Sequence, residues 1–165
     1  MSATDEMLEF NKGVVRLFPG IESNATPRKK LAIVACMDAR IVPATHLGIH
    51  VGDAHIIRNA GGRVAEAVRS LALSQVLLGT EEVAIIHHTD CGVMSPGDDQ
   101  VRAAFREKGL NPGDMPILTF ADLEQSVRDD IALYRSLPLL RQDIPLRGLV
   151  FDVATSRLRE VDIPG

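Results

Sequence analysis

The chain has 165 residues, a formal net charge of −4 and 24 % charged residues, figures ordinary for a globular domain large enough to bury its own core. Its longest run of Lys and Arg is three residues, Arg28-Lys29-Lys30, too short for the electrostatic footprint of a nucleic-acid binder. No apolar stretch reaches the roughly 18 residues of a membrane span, and the opening MSATDEMLEF is acidic and lacks the basic and apolar regions of a secretory signal; the expectation is a cytoplasmic protein with neither nucleic-acid nor membrane partner.

In chain order, residues 4–18 are expected to form an amphipathic helix. Thr4 is its N-cap, Asp5 and Glu6 lie in its first turn, and Leu8, Val14, Val15, Leu17 and Phe18 form its stripe, with Gly13 counting against it. A polar connector covers 19–30. LAIVAC (31–36) is an apolar run of parallel-strand character. A short helix at 41–47 is favoured by Pro43 in its first turn. AHIIRN (54–59) reads as a second strand broken by Gly61-Gly62. The stretch 64–79 is the clearest helix, with Val64, Val68, Leu71, Val76 and Leu78 apolar and Gly79 ending it. EVAIIHH (82–88) is the third strand. Helices are expected at 97–109, around Val101, Ala104 and Phe105, and at 120–137, ending before Pro138. RGLVFDV (147–153) and RLREV (157–161), joined by a turn at Ala154-Thr155-Ser156, read as a hairpin.

Strands alternating with helices predict an α/β fold: a mostly parallel central sheet flanked by helices, closed by a C-terminal hairpin strand. The chain reads as a single domain, with 1–27 as a helical arm and 28–162 as the core. Sites in such sheets lie beyond the carboxyl ends of the strands, where Cys36, Asn59 and His88 stand.

Two short motifs occupy those ends: Cys36-Met37-Asp38-Ala39-Arg40 and His88-Thr89-Asp90-Cys91-Gly92. They hold both cysteines of the chain. A disulfide suits a cytosolic protein poorly. Two thiolates and an imidazole suit zinc, and with a fourth position left open such a site lowers the pKa of bound water towards about 7. Asp38 is placed either to ligate the metal or to accept a hydrogen bond from a zinc-bound hydroxide, and Arg40 can hold that carboxylate by a bidentate pair. A fourth protein ligand would instead make the site closed and structural. His87 points to the opposite face of its strand from His88 and is expected to be a packed core histidine. His46, His50 and His55 are expected to be surface or structural residues, Asp90 a cap or salt-bridge partner, and Arg58 a structural ion-pair residue near the site.

With these residues the sequence resembles the β-class carbonic anhydrases: Cys36, Asp38 and Arg40 in ACMDAR, Arg58 and Asn59 in IIRNAGG, and His88, Cys91 and Gly92 in HHTDCG, with RGLVFDVATSRLREV similar to the family's terminal hairpin. The resemblance runs from about residue 28 to 162. The short length and the HHTDCG string look most like a compact subgroup that also contains carbonyl sulfide and carbon disulfide hydrolases. The resemblance implies zinc held by Cys36, His88 and Cys91, with Asp38 and Arg40 as a catalytic dyad. In the active form Arg40 keeps Asp38 off the metal; in an inactive form Asp38 takes the fourth position. It also implies a parallel β-core and a homodimer or homotetramer. Gly92, Asn59, Ala60, Gly61 and His50 are the candidate substrate-binding residues. The chain departs from the plant-like branch in having His50 where a Gln is expected, and from the family's usual dyad-linking Ser in having Ala39. It has no Trp and one Tyr, which removes the aromatic bicarbonate pocket of the regulated branch. The expected reaction is attack of zinc-bound hydroxide on CO2, giving bicarbonate and a proton. The alternative is hydrolysis of COS to CO2 and H2S on the same zinc, and a third reading is a non-catalytic zinc protein with Asp38 as a permanent fourth ligand.

Overall fold

The structure, a computed structural model, describes residues 2–17, 25–95 and 97–163, without the side chains of 15–17. Five strands form one sheet in the order β2-β1-β3-β4-β5, where β1 is Leu31–Cys36, β2 Ala54–Asn59, β3 Glu82–His88, β4 Leu146–Asp152 and β5 Arg157–Glu160. The first four run parallel and β5 returns antiparallel to β4. β1 and β3 are continuous apolar runs because side chains of both faces are buried: every residue of β1 after Leu31 and of β3 after Glu82 is buried.

Two helices, α3 (Val64–Leu77) and α5 (Leu123–Ser136), pack on one face of the sheet. Val64, Ala67 and Leu71 of α3 and Val127, Ile131 and Tyr134 of α5 meet Ala32, Val34, Val83, Ile85 and Val150 there. The other face buries Ile33, Ala35, Ala84, Ile86 and Phe151 against Ile41, Cys91 and Phe120, with Leu47 and Ile49 following the short helix α2 (Pro43–His46). The chain between Cys91 and Phe120 makes an excursion that carries α4 (Asp98–Glu107), which has no buried residue. Among the described residues, no helix is long and apolar enough to cross a membrane.

Local details differ from the sequence reading. The first helix, α1 (Ala3–Leu17), is capped by Ser2 rather than Thr4. Ser2 Oγ accepts from Asp5 N at 3.2 Å while Ser2 N donates to Asp5 at 2.8 Å, a reciprocal cap. Leu8 of its expected stripe is exposed and Val14 half-buried; the side chains of Val15 and Leu17, and Phe18, lie outside what is described. On α3, Val76 and Leu77 face solvent, and the buried face ends on Ser74 and Gln75. Gln75 is buried because its amide is satisfied: Nε2 donates to Tyr134 Oη at 2.6 Å and Oε1 accepts from Arg141 N at 3.0 Å.

Candidate metal centre

Parallel pairing in register brings the carboxyl ends of three strands together: Cys36 lies opposite Asn59, and Ala35 opposite Ile86. β1 therefore delivers Cys36, and β3 delivers His88, to the same end of the sheet. Cys91 follows after a tight turn in which Thr89 N donates to Phe151 O and Thr89 Oγ1 accepts from Val153 N, both at 3.0 Å. One donor atom from each of Cys36, His88 and Cys91 lies within 4.8 Å of the others, and all three residues are buried.

The chemistry of this cluster fits a metal of the zinc type. The two sulfurs are 3.9 Å apart as free thiols. Their mutual hydrogen bond lowers Cys36 from the usual thiol range and, with burial, pushes Cys91 up. His88 Nδ1–H donates to Thr89 O at 2.9 Å, which fixes the tautomer and leaves Nε2 as the lone-pair nitrogen. That Nε2 is buried and has no hydrogen-bond partner among the described residues. A buried polar atom left unpaired costs about 1–3 kcal/mol, and here it faces two sulfurs that a metal would join to it.

Asp38 stands beside this cluster, its Oδ2 3.9 Å from His88 Nε2. It is held back by Arg40, whose Nε donates to Oδ1 at 3.0 Å, Nη2 to Oδ2 at 2.7 Å and backbone N to Oδ1 at 2.8 Å. These bonds hold the Asp38 carboxyl far below the usual carboxylate range, so it is an acceptor at every physiological pH. The turn after β2 shapes the floor. Gly62, at φ +72°, passes so close to the end of β1 that a Cβ there would lie 2.9 Å from Cys36 N and 3.1 Å from Ile86 O.

The comparisons with known proteins agree with this geometry. Residues 31–114 match the carbonic anhydrase family. Beta-carbonic anhydrase 1 of Mycobacterium tuberculosis is 43 % identical over 163 residues, 98 % of this chain and 99 % of that protein. The chain belongs to the β-carbonic anhydrase family. The carbon disulfide hydrolase of an Acidianus species is also similar, 32 % identical over 94 % of this chain and 86 % of that one. The crystal structure of a carbonic anhydrase from Streptococcus mutans superposes with a TM-score of 0.92 at 42 % identity, covering 98 % of this chain and 99 % of that one.

In this β-carbonic anhydrase family chain a cleft of about 280 Å³ opens over the cluster, lined by Cys36, Met37, Asp38, Ala60, Gly61, Cys91, Gly92 and Val93. It gathers Gly92, Ala60 and Gly61 of the expected substrate residues and not the other two. Asn59 turns its side chain away, accepting from Arg63 N at 2.7 Å and donating to Arg63 O at 2.8 Å, which clamps the floor turn. His50 is exposed in the loop before β2, where its N donates to Asp53 Oδ2 at 3.0 Å. Among the described residues Arg58 forms no ion pair: Nε donates to Cys36 O at 2.9 Å and Nη2 to Asp38 O at 2.6 Å, fixing the backbone of the Cys-x-Asp segment. His87 is fully buried on the opposite face, its Nδ1 2.7 Å from Ser126 Oγ and its Nε2 3.1 Å from Asp130 Oδ2. Sequence reasoning did not place Met37 and Val93 on the cleft. Their adjacency to Cys36 and to Gly92 was the available signal.

Proposed function

We propose that the cleft hydrates CO2 to bicarbonate and a proton, with Cys36, His88 and Cys91 holding a zinc ion and Asp38 and Arg40 as the catalytic pair. The observation that carries this reading is the unpaired, buried Nε2 of His88 facing two sulfurs, with an ionised carboxylate restrained 3.9 Å away. Zinc bound there would supply a Lewis acid that brings the pKa of water towards about 7. Asp38, lacking any proton, can only accept: it would take a hydrogen bond from the attacking water and aim a lone pair at the carbon of CO2. Arg40 keeps that carboxylate out of the ligand set. Met37, Ala60, Gly61, Gly92 and Val93 give the cleft apolar walls suited to an uncharged linear substrate and poor at retaining a charged product.

The second reading is hydrolysis of a sulfur analogue, COS to CO2 and H2S, on the same residues. It is favoured by the similarity to a carbon disulfide hydrolase and by the exposed thioether of Met37 at the cleft, 66 % accessible, which can move to admit a larger atom. The chain is further proposed to act in the cytoplasm, where thiols stay reduced, and as a homodimer or homotetramer, with 1–27 as an arm and 28–162 as the catalytic core. Exposed Met7, Leu8 and Phe10 and the edge position of β2 support assembly.

The test is a pair of initial-rate assays on one zinc-quantified sample, CO2 hydration by stopped flow and COS consumption by H2S release. Fast CO2 turnover with slow COS turnover is expected. Strong COS turnover with weak CO2 hydration would transfer the assignment to the second reading. Zinc at one per chain with neither activity, and with zinc lost in Asp38→Ala, would overturn both in favour of a structural metal that has Asp38 as its fourth ligand.

A further inference from the structure

Arg40 is gripped from two sides. Its Nε and Nη2 hold Asp38; on the far side Nη1 donates to Asp90 Oδ2 at 2.6 Å and Nη2 to Asp90 O at 2.8 Å. Four of the five guanidinium hydrogens have acceptors in this arrangement. Asp90 lies between His88 and Cys91 and has a left-handed backbone, φ +55°, which turns both its carbonyl and its carboxylate towards Arg40. A non-glycine residue in that conformation is uncommon, and Asp and Asn are among the few that adopt it at modest cost.

We propose that Asp90 is a positioning residue for Asp38: by anchoring the far side of the Arg40 guanidinium it keeps the Asp38 carboxylate off the metal and the fourth ligand position free. This rests on the metal reading above. The reasoning is one of competing partners. Asp38 Oδ2 is 3.9 Å from a metal-facing nitrogen, close enough that a small movement would bring it into the ligand set. What resists that movement is Arg40, whose side chain is 47 % accessible and has no packed core to hold it. With only Asp38 as partner, the pair could swing inward together. With Asp90 fixed by the turn between two ligands, Arg40 has a stationary anchor. The Asp90 side chain is 78 % accessible, so the contact adds little to global stability; its effect falls on the position of Arg40.

The test uses cobalt-substituted protein at fixed pH, following azide binding to the open position by the visible cobalt spectrum. Asp90→Gly keeps the left-handed turn and the carbonyl while removing the carboxylate. Asp90→Asn keeps the turn and a neutral acceptor, so neither variant disturbs the fold. The expected result is azide affinity weakened about fivefold in Asp90→Gly, the factor that about 1 kcal/mol produces, and about twofold in Asp90→Asn, a neutral bond being roughly half as strong. The sign is diagnostic: loss of a nearby negative charge acting through space alone would tighten anion binding. In an Asp38→Ala background no carboxylate remains to swing in, and Asp90→Gly should no longer weaken azide. Unchanged or tighter azide binding in Asp90→Gly, or an equal loss in the Asp38→Ala background, would overturn the inference alone. A wild type that takes up no cobalt would overturn the metal reading and this inference together.

Discussion

Replacing Gly62 by Ala tests whether the floor turn is what sets Cys36 in place. Gly62 sits at φ +72°, and a Cβ there would meet Cys36 N at 2.9 Å, Ala35 C at 3.0 Å and Ile86 O at 3.1 Å. All three are backbone atoms of β1 and β3, the two central strands that carry Cys36 and His88, so no side chain can rotate aside. The left-handed conformation costs an alanine about 1–2 kcal/mol, and forced overlap in a packed interior adds roughly 1–3 kcal/mol; the sum is about 3 kcal/mol. For a chain of this size each kcal/mol moves Tm by about 2–4 °C, so apo Gly62→Ala should melt roughly 6–12 °C below the wild type in a calorimetric scan. The displaced backbone is that of Cys36, so zinc per chain, measured by atomic absorption on folded protein, should fall as well. Gly13→Ala in α1 is the matched control: a Cβ there meets nothing within 4 Å among the described residues, and helix propensity predicts no loss. A Gly62→Ala protein within about 2 °C of the wild type and fully zinc-loaded would refute the reasoning.

Asp130, 1 % exposed, accepts from Arg63 at 3.1 and 3.2 Å and from Val64 N at 3.1 Å. Asp130→Ala should cost about 3–5 kcal/mol in urea unfolding because it strands a part-buried guanidinium, and a loss under about 1 kcal/mol would show that water replaces the carboxylate. Tyr134→Phe removes the hydroxyl that accepts from Gln75 at 2.6 Å and donates to Arg141 O at 3.0 Å; about 1–2 kcal/mol should be lost with no change in zinc content. Stripping zinc with a chelator should lower Tm, since ligand at 100 times its Kd stabilises by about 2.7 kcal/mol, and Cys91→Ser should melt at one temperature with or without zinc. Asp98 accepts from Thr119 Oγ1 at 2.6 Å and from the N–H groups of Thr119 and Ile117, both at 3.1 Å. The Thr119 bonds foremost hold its carboxyl below the ordinary range. A lowered folded-state pKa gives stability that is complete above the unfolded value of about 4 and lost as pH falls through the folded one. Protection from hydrogen exchange in the 98–119 excursion, taken relative to the unprotected rate at each pH, should therefore fall below about pH 4, and Asp98→Asn should flatten that response.

Much of the centre was legible because strand ends are where a parallel sheet exposes its chemistry, and Cys36 and His88 closed the two most apolar runs in the chain. Helix α3 was legible from an apolar repeat that the structure buries at Val64 and Leu71, α5 from its stop before Pro138, and the hairpin from its turn at Ala154-Thr155-Ser156, since β5 is exposed throughout. The errors have a common physical origin. Val76 continues the apolar stripe of α3 but turns past the sheet, so pattern alone assigned it to a buried face although it is 72 % exposed. Arg58 was expected to seek a carboxylate and instead satisfies the carbonyls of Cys36 and Asp38, partners that every residue offers and no sequence marks. His50 and Asn59 were assigned to the substrate by position along the chain, yet the turn at Asp53 and the clamp on Arg63 direct them elsewhere.

Asp90 shows the same limit from the other side. A cap or a salt bridge was expected of it, but its partner depends on a positive φ that the letters HTDCG do not state. With ordinary extended backbone at that position, the carboxylate and carbonyl would not both face Arg40, and the dyad would have one anchor instead of two. The residue types of the site thus specify which chemistry is possible. Backbone conformation at two turns, Gly62 beneath Cys36 and Asp90 beside Arg40, specifies whether the thiolates converge and whether Asp38 stays withdrawn. Substituting at these two turns should therefore separate the two properties: Gly62→Ala lowers metal content, whereas Asp90→Gly leaves metal content intact and closes the fourth position.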